Sequence, residues 1–427
     1  MKIAVEQNVL LEVLAKGGIG ALSDESQSDS SNLAPLVKSI KLTATPSDLI
    51  AESFSTQLYT KYVRPLVDGD NSIDIKEGGF VLVQGKELVG WLSKQNECKI
   101  GLNFSKETKE VKETDESSKE AVENKDVVQK VGLLKLASKD NNKTGAKWSL
   151  ESYDDALLPN PTEPTDFKTL FRIPEISKFK NALAGIEFSA KKKDESHVFD
   201  GFMFEMIEGK MYAGTTDALR CSVYDLSGIV TETSDFFKTN KIVIPVSSLS
   251  AMISQSVDGV EAVIDYSPEK NIAYFRQAGL TGRLVLPDQQ VINKFPTLAK
   301  ILCKTYAKLV SIPKAVLNNR LSTAAMVNKF SGLFIFKNDK LKIYTATESG
   351  LEPNTCDCAV NGLQSDKDFI WNIGHIGDIL KFCKDKDINI SATEDSKIAR
   401  FESPTDPNIY MFVMRMKDPK YDNVTID

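Results

Sequence analysis

The sequence is poor in the residues that most catalytic and metal sites need. Among its 427 residues there are two histidines, His197 and His375, and six cysteines. Only Cys356 and Cys358 lie close together, and neither a histidine nor a second cysteine pair stands near them. A structural zinc site needs about four clustered ligands, so none is expected. No nucleophile lies beside either histidine, so a His-dependent triad is not indicated.

The chain also lacks long apolar runs and an excess of basic charge. No stretch approaches the ~20 apolar residues of a membrane helix, and the N-terminus does not read as a secretory signal. We therefore expect a cytoplasmic protein without membrane contact. It carries 53 Lys and Arg against 59 Asp and Glu, a formal charge of −6. This balance argues against a protein whose whole surface binds nucleic acid, but it is compatible with a local basic surface.

Enzyme signatures are missing as well. The glycine-rich segment at residues 17–20 lacks the Gly-Lys-Ser/Thr of a phosphate-binding loop, and no metalloprotease or nucleophile-elbow motif occurs. The alternative of a carboxylate-dependent metal nuclease would use acids such as Asp154, Asp155 and Asp422. Neighbouring acids on an extended chain point to opposite sides, which disfavours that alternative. We predict no catalytic residue, no metal and no cofactor.

Three polar segments interrupt the sequence. Residues 105–126 hold 13 charged residues of 22 and too few apolar ones to form a core, so we predict a solvated insertion there. Residues 23–33 form a second polar loop. The three prolines of residues 158–164 are typical of an extended linker, and residues 296–305 are a further candidate linker.

The rest of the chain alternates helical and strand-like patterns at a regular distance. Period-2 alternation predicts strands at Gly201–Met206, Lys340–Thr345, Ile388–Ala392 and Ile409–Met414. Period-3.6 patterns predict six helices, at Gln7–Lys16, Lys86–Gln95, Pro174–Ala184, Pro245–Ser254, Pro313–Thr323 and His375–Lys384. One helix followed by three or four strands, repeated six times, is the strongest organisational signal.

The repeat predicts the fold class. Two repeats per domain give an α+β protein of three similar domains, each with two antiparallel sheets and two helices. We place the domains at residues 1–165, 166–300 and 301–427. Three of the helices begin with a proline, Pro174, Pro245 and Pro313, which is expected in the first helical turn because its missing N–H has no helical partner there.

The helices are amphipathic, with a basic side on some of them. In the second helix Leu88, Trp91 and Leu92 form an apolar stripe, whereas Lys86 and Lys94 lie on the other side. The stripe predicts packing on a sheet, and the opposite face is left for solvent or a ligand.

Several short motifs occur in the order in which one known family has them. They are Trp148-Ser-Leu-Glu-Ser-Tyr153, Leu158-Pro-Asn160, Val198-Phe-Asp-Gly-Phe-Met-Phe-Glu205, Thr215-Thr-Asp-Ala-Leu-Arg-Cys221, Ile242-Val-Ile-Pro245, Arg283-Leu-Val285, Phe295-Pro296 and Tyr410-Met-Phe-Val-Met-Arg415. Together they resemble the bacterial sliding clamp, the beta subunit of DNA polymerase III, over nearly all of residues 1–417.

The resemblance is to a divergent member of that family. Where the family signature has Gly and His before its Arg, this chain has Ala218 and Leu219, and Cys221 replaces the Leu after it. The C-terminal strand lacks the proline between its methionines, so its alignment can slip by one residue. Residues 284–295 carry an insertion, and residues 418–427 extend past the family's usual end.

The resemblance implies a function in DNA replication. The family forms a head-to-tail homodimeric ring that encircles double-stranded DNA, with the six helices lining the hole. The implied DNA-binding residues are Lys86, Lys94, Lys178, Lys180, Lys314, Arg320, Lys381 and Lys384. The fourth helix has no basic residue, and each of these side chains also fits an ordinary solvated helix face.

The resemblance also implies a hydrophobic peptide-binding cleft. In the family, DNA polymerase and the clamp loader dock there through short apolar peptide motifs. Carried over by position, its residues are Phe199, Thr216, Ala218, Leu219, Arg220, Cys221, Pro245, Leu249, Met411 and Val413. The alternative is that these are core residues of two sheets. A clamp-like protein-interaction scaffold that does not encircle DNA is the competing hypothesis for the whole chain.

Overall fold

The structure, a computed structural model, describes most of the chain. It describes residues 1–23, 34–106, 130–140, 143–156, 158, 165–191, 199–293, 296–337, 340–346, 351–357, 369–395 and 397–421. Most of the charged insertion and of the polar loop at residues 23–33 lie outside these ranges. His197, Cys358 and Asp422 lie outside them too.

Six long helices occur in the described residues, and all six match the predicted ones. They are α1 (Gln7–Gly17), α2 (Gly85–Leu92), α3 (Ile176–Ile186), α4 (Val246–Ser254), α5 (Lys314–Val327) and α6 (Ile373–Phe382). Single helical turns are found at Ile19–Leu22, Ala34–Val37, Gln289–Ile292 and Ala299–Leu302. No helix in the described part of the chain is long and apolar enough to span a membrane.

The strands confirm the four predicted from alternation and extend the pattern along the whole chain. The first nine are β1 (Lys2–Glu6), β2 (Ser39–Ala44), β3 (Asp48–Phe54), β4 (Leu58–Pro65), β5 (Ile73–Glu77), β6 (Gly79–Gln84), β7 (Lys99–Lys106), β8 (Lys130–Asp140) and β9 (Lys143–Tyr153). The next eight are β10 (Lys168–Ile173), β11 (Gly201–Ile207), β12 (Lys210–Thr216), β13 (Arg220–Asp225), β14 (Ile242–Pro245), β15 (Ala262–Ser267), β16 (Ile272–Gln277) and β17 (Leu280–Val285). The last eight are β18 (Ala307–Pro313), β19 (Gly332–Lys337), β20 (Lys340–Ala346), β21 (Leu351–Asp357), β22 (Phe369–Trp371), β23 (Asp387–Ala392), β24 (Ile398–Glu402) and β25 (Ile409–Met414).

Each long helix stands in the same local order, which confirms the six-fold repeat. One strand leads into the helix and three consecutive strands follow it; β5 is an extra strand. The leading strand of each repeat pairs with the first following strand of its neighbour. Thus β1 pairs with β7 and β6 with β2, and the same exchange joins β10 to β15, β14 to β11, β18 to β23 and β22 to β19. The repeats are therefore interlocked in three pairs.

The strands form three antiparallel sheets of thirteen, eight and four strands. Contacts divide the chain into two compact units, residues 1–176 with 247–286 and residues 177–246 with 287–427. The thirteen-stranded sheet lies in the first unit and the other two lie in the second. Two pairings, β17 with β4 and β13 with β25, make the larger sheets continuous. The three domain boundaries stay a prediction.

Helix burial follows the predicted stripes. Leu88 and Leu92 of α2 are fully buried, and Lys86 and Gly90 are exposed. In α3, Phe179 is buried and stacks on Phe204 of β11 at 6.4 Å between ring centroids. Burying one such side chain is worth about 1.5–3 kcal/mol, so the apolar stripes fix the faces that the helices turn to the sheets.

The three prolines correct one detail of the prediction. They precede the helices instead of opening them: Pro245 and Pro313 end β14 and β18, and Pro174 lies two residues before α3. Pro313 has φ −57° and ψ 124°, an extended conformation. The ring fixes φ at a value that suits either element, and here ψ keeps the residue in the strand.

The close approach of α1 to β3 gives a first prediction. A Cβ on Gly17 would lie 2.3 Å from the Ala51 carbonyl oxygen, whereas a Cβ on the exposed Gly90 would meet nothing within 4 Å. We expect Gly17→Ala to destabilise the chain by about 2 kcal/mol through overpacking. As the matched control, Gly90→Ala should stabilise it by about 1 kcal/mol through helix propensity. Urea unfolding measures both, and equal effects would contradict the packing assigned to Gly17.

Candidate functional site

The hairpin between β12 and β13 contains most of the family signature and is held by charge. The Asp217 carboxylate accepts hydrogen bonds from the backbone N–H of Leu219 and of Arg220, at 3.0 and 2.9 Å. The Arg220 guanidinium donates to Asp217 at 2.9 Å and to Asp378 of α6 at 2.7 Å. Only 12% of the Arg220 side chain is exposed. Arg220 therefore fastens this hairpin to the last helix.

Burial and this ion network set the titration of the neighbouring groups. Burial alone would raise the pKa of Asp378, but hydrogen bonds from Lys381 and Arg220 hold it below its usual range. Burial lowers the pKa of His375, whose Nε2 lies 3.9 Å from Asp217. Burial raises the pKa of the Cys221 thiol to about 12. The Cys221 thiol is thus protonated and behaves as a small apolar group, not as a nucleophile.

An apolar cluster covers one face of the eight-stranded sheet. Its buried members come from the strands and from the segment that follows β17: Met203, Ile207, Cys221, Val223, Val243, Ile292, Leu298, Ile301, Ile398 and Phe412. Partly buried Phe199, Tyr306 and Met414 pack around it. We call it the linker-covered cluster, because the helical turns Gln289–Ile292 and Ala299–Leu302 lie on it.

The linker is held on the sheet by specific contacts. The Glu205 carboxylate accepts the backbone N–H of Leu298 at 2.8 Å, at the start of the turn Ala299–Leu302. A Cβ on Gly214 would come within 2.8 Å of the Leu298 side chain, so the glycine lets Leu298 approach the strand. The residues after Phe295-Pro296 are therefore part of the cluster and not a plain linker.

Five of the expected cleft residues lie on or beside this face. Thr216 pairs directly with Cys221, and opposed residues of an antiparallel pair point to the same side. Phe199 packs against the cluster. Leu219 lies at the tip of the hairpin with 47% of its surface exposed, beside Ala218. Of these five residues, Thr216 and Cys221 are buried, whereas Leu219 is exposed.

Three of the other expected cleft residues lie on the opposite side of this sheet. Cys221 pairs with Phe412, so Met411 and Val413, which flank Phe412, point to the opposite side of the sheet and are fully buried. Arg220 pairs with Val413 and shares that side.

Two further positions were carried over from the family. Pro245 is buried at the end of β14, on the same side of that strand as Val243 of the cluster. Leu249 is fully buried in α4, in the first unit.

Of the ten buried members of the cluster, only Cys221 was among the expected cleft residues; Phe412, Leu298 and Ile301 are among those that were not expected, and partly buried Tyr306 is another. The ring of Tyr306 lies 5.8 Å from that of Phe412, and Arg400 lies 4.6 Å above the Tyr306 ring. The helical spacing of Leu298 and Ile301 was a usable signal. No sequence signal showed whether Met411 or Phe412 faces the cluster, because the residues on both sides of that strand are apolar.

The expected DNA-binding residues lie mostly on exposed helix faces. All except Lys314 are exposed: Lys86, Lys94, Lys178, Lys180, Arg320, Lys381 and Lys384. The Lys314 ammonium donates to the Cys383 carbonyl at 2.7 Å, and Lys381 pairs with Asp378 at 2.9 Å. Those two cations are already engaged within the second unit.

Comparison with known proteins finds matches in fold but none in sequence. No protein-family model and no curated protein sequence matches the chain. Among solved structures, the DNA polymerase III subunit beta from Pseudomonas aeruginosa matches with a TM-score of 0.74 at 16% identity, covering 98% of this chain and 100% of that one. The chain has the sliding-clamp fold.

Other structures with this fold agree over the same length. The DNA polymerase III beta chain from Streptococcus pneumoniae has a TM-score of 0.74 at 14% identity, and the DNA polymerase sliding clamp from Caulobacter crescentus 0.73 at 12%; each match covers 98% of this chain and 100% of the other. A sliding clamp from Pseudomonas aeruginosa bound to griselimycin also matches, with a TM-score of 0.74. These matches confirm the resemblance inferred from the motifs and the predicted α+β class. The low sequence identity fits a divergent member of this fold.

The altered signature gives a second prediction. Ala218 has φ +74°, where the family has Gly. A residue with a Cβ in the left-handed region destabilises the folded state by about 1–2 kcal/mol. Glycine avoids this cost but loses more conformational entropy on folding, which offsets roughly half of the gain. We expect Ala218→Gly to stabilise the chain by about 0.5–1 kcal/mol in urea unfolding. The control Ala213→Gly, at a buried strand position with ordinary φ, should destabilise it. Destabilisation by both changes would contradict strain at Ala218.

Proposed function

We propose that this chain is a DNA sliding clamp, a processivity factor that encircles duplex DNA as a head-to-tail homodimer. It would tether the replicative DNA polymerase and the clamp loader through short apolar peptides. In this proposal the chain has no catalytic activity, needs no cofactor and acts in the cytoplasm. The observation that carries the proposal is the way in which the six repeats join their sheets.

The last strand of each repeat supports ring closure. Two sheet junctions join four of these strands, β4 to β17 and β13 to β25. In the described part of the chain, β9 has only the single pair Val83–Ser152 on its second side, and β21 is an outer strand. Unpaired strand edges favour addition of another strand. We infer that β9 of one copy pairs with β21 of the other, which closes a ring by repeating the junction found within the chain.

Exposed apolar side chains support an interface in the second unit. Met326, Val327 and Phe330, at the end of α5 and just after it, are 87%, 44% and 64% exposed. Clustered exposed apolar residues mark interaction sites. In the first unit, Trp148 of β9 stacks on Trp91 at 6.2 Å between ring centroids, which gives the free edge a rigid aromatic surface.

The charge distribution suits sliding. A net charge of −6 keeps overall DNA affinity low, while α2 and α3 carry exposed lysines. Encirclement needs only weak phosphate contacts, because strong neutralisation would bind DNA tightly and slow its passage.

The linker-covered cluster is the proposed docking surface. The exposed Leu219 and the partly buried Phe199, Tyr306 and Met414 at the edge of the cluster are the side chains offered to a short apolar peptide, and the buried cluster supports them. Glu205 and Arg220 position it, the first through the linker and the second through the hairpin.

The scaffold without DNA encirclement is the second candidate. The observation in its favour is that Lys314 and Lys381 are engaged within the protein, which reduces the basic face of α5 and α6. Nothing comparable favours a metal nuclease, since Asp155 pairs with Lys41.

Oligomeric state tests ring closure. Light scattering after gel filtration should give twice 47.2 kDa for the wild type. Met326→Glu should give a monomer, because it places a charge in the apolar interface. The control Val257→Glu, at an exposed apolar residue of the first unit, should remain a dimer. A monomeric wild type would refute the ring.

Charge reversal distinguishes the clamp from the scaffold. Changing Lys86, Lys94 and Lys178 to Glu should abolish retention on nicked circular DNA after treatment with the clamp loader. It should also lower the slope of log affinity against log salt by roughly one for each phosphate that is no longer neutralised. The control reverses three exposed strand lysines, Lys76, Lys135 and Lys308. Equal retention of both variants would favour the scaffold.

A further inference from the structure

The first unit contains a cavity of about 340 Å³ on the face of its sheet opposite to α1. Lys41 of β2, Glu52 of β3, Tyr59 of β4 and Leu82 of β6 line it, and Asp155, which follows β9, closes one side. Its volume lies within the range of about 300–1,000 Å³ typical of ligand pockets. Neither the ring nor the linker-covered cluster accounts for it.

The cavity occupies the same place in its repeat as the linker-covered cluster does in the third repeat. Gln84 and Pro245 each immediately precede a helix, and they pair with Ser39 and Gly201. This register makes five positions equivalent: Leu82 and Val243, Lys41 and Met203, Glu52 and Gly214, Phe54 and Thr216, Tyr59 and Cys221. The hairpins agree too, since the backbone N–H of Ser55 donates to the Leu58 carbonyl as that of Asp217 does to the Arg220 carbonyl.

The chemistry of the two equivalent faces differs. The cluster face is apolar, and Leu298 fills the space above Gly214. In the first unit Glu52 stands at the glycine position, the Tyr59 hydroxyl donates to it at 2.5 Å, and both side chains line the cavity. The docking face has therefore become a polar cavity in the first repeat.

A carboxylate of the chain itself occupies part of this cavity. Asp155 accepts a hydrogen bond from the Lys41 ammonium at 2.7 Å, and both side chains are about three-quarters buried. The backbone N–H of Leu158 donates to the Asp155 carbonyl, and that of Ala156 to the Asp154 carboxylate. We call residues 154–156 the strap; it presents Asp155 to the sheet as a turn.

The sheet around the cavity attracts an anion. Glu52 pairs directly with both Lys41 and Lys61 on neighbouring strands, so the three share one face. Arg283 of β17 pairs with Tyr59 and extends that face; its Nε is buried without a hydrogen-bond partner among the described residues. Without the strap, this face carries three cations, Lys41, Lys61 and Arg283, and one carboxylate, Glu52. Asp155 of the strap adds a second carboxylate.

We propose that this cavity is a second docking site, for a short acidic peptide whose carboxylate replaces Asp155 on Lys41. The strap is its built-in occupant and competes with the incoming peptide. We expect apolar residues beside the acid to contact Phe54 and Leu82, which line the cavity together with Ala156 and Leu158. The site does not depend on DNA encirclement.

The probe for the test is a fluorescein-labelled octapeptide with the sequence of residues 153–160, Tyr-Asp-Asp-Ala-Leu-Leu-Pro-Asn. Its anisotropy is titrated with the full chain in the absence of DNA. Asp155→Asn should tighten binding about five-fold, because it removes the intramolecular competitor. Lys41→Met should weaken binding about five-fold, because it removes the charge that holds the carboxylate, and Lys41→Arg should retain it. A peptide with Asn at its second Asp should not respond to either change.

Controls separate this site from the cluster and from general charge effects. Asp74→Asn, at an exposed acid of β5, should leave peptide affinity unchanged. Equal affinity for the wild type, Asp155→Asn and Lys41→Met chains would overturn the proposal. So would loss of binding in Leu219→Asp with none in Lys41→Met, since the peptide would then occupy the linker-covered cluster. If Lys41→Met lowers the thermal midpoint, Arg283→Met provides the same test.

Discussion

Pairing of strand edges is the constraint on which the architecture depends. Each repeat ends in a strand with an open side, and an unpaired edge leaves backbone donors and acceptors without partners. The chain pairs β4 with β17 and β13 with β25, so the sheet of the first repeat continues into that of the fourth, and the sheet of the third into that of the sixth. The helices then cover one face of each sheet with their apolar stripes. The proposed dimer applies the same pairing to the two remaining edges.

The same repeat gives different chemistry in different places. At equivalent positions the chain has Cys221 and Gly214 on an apolar face and Tyr59 and Glu52 beside a charged cavity. Backbone register preserves the geometry, while side chains decide what each face binds. A repeated fold can therefore present several docking surfaces of different specificity.

Much of the fold followed from local patterns. Helical and alternating periods predicted all six long helices, and the spacing of those helices predicted the repeat. The hairpin from Thr216 to Cys221 was recognised from its motif, because the hydrogen bonds between Asp217 and Arg220 join residues that are close in sequence. The side of the sheet on which each expected cleft residue lies did not follow from local patterns: Phe412 pairs with Cys221 and shares its side, whereas Met411 faces the opposite side.

The sequence by itself determined the elements, their order and the charge available to each helix, since these depend on neighbours along the chain. Only the tertiary structure decided which face of β25 joins Cys221, because the strand is apolar on both sides and its register is set by β13, almost 200 residues earlier. It likewise decided that Arg220 meets Asp378 and that Asp155 meets Lys41. Such long-range pairs leave no periodic trace in a single sequence.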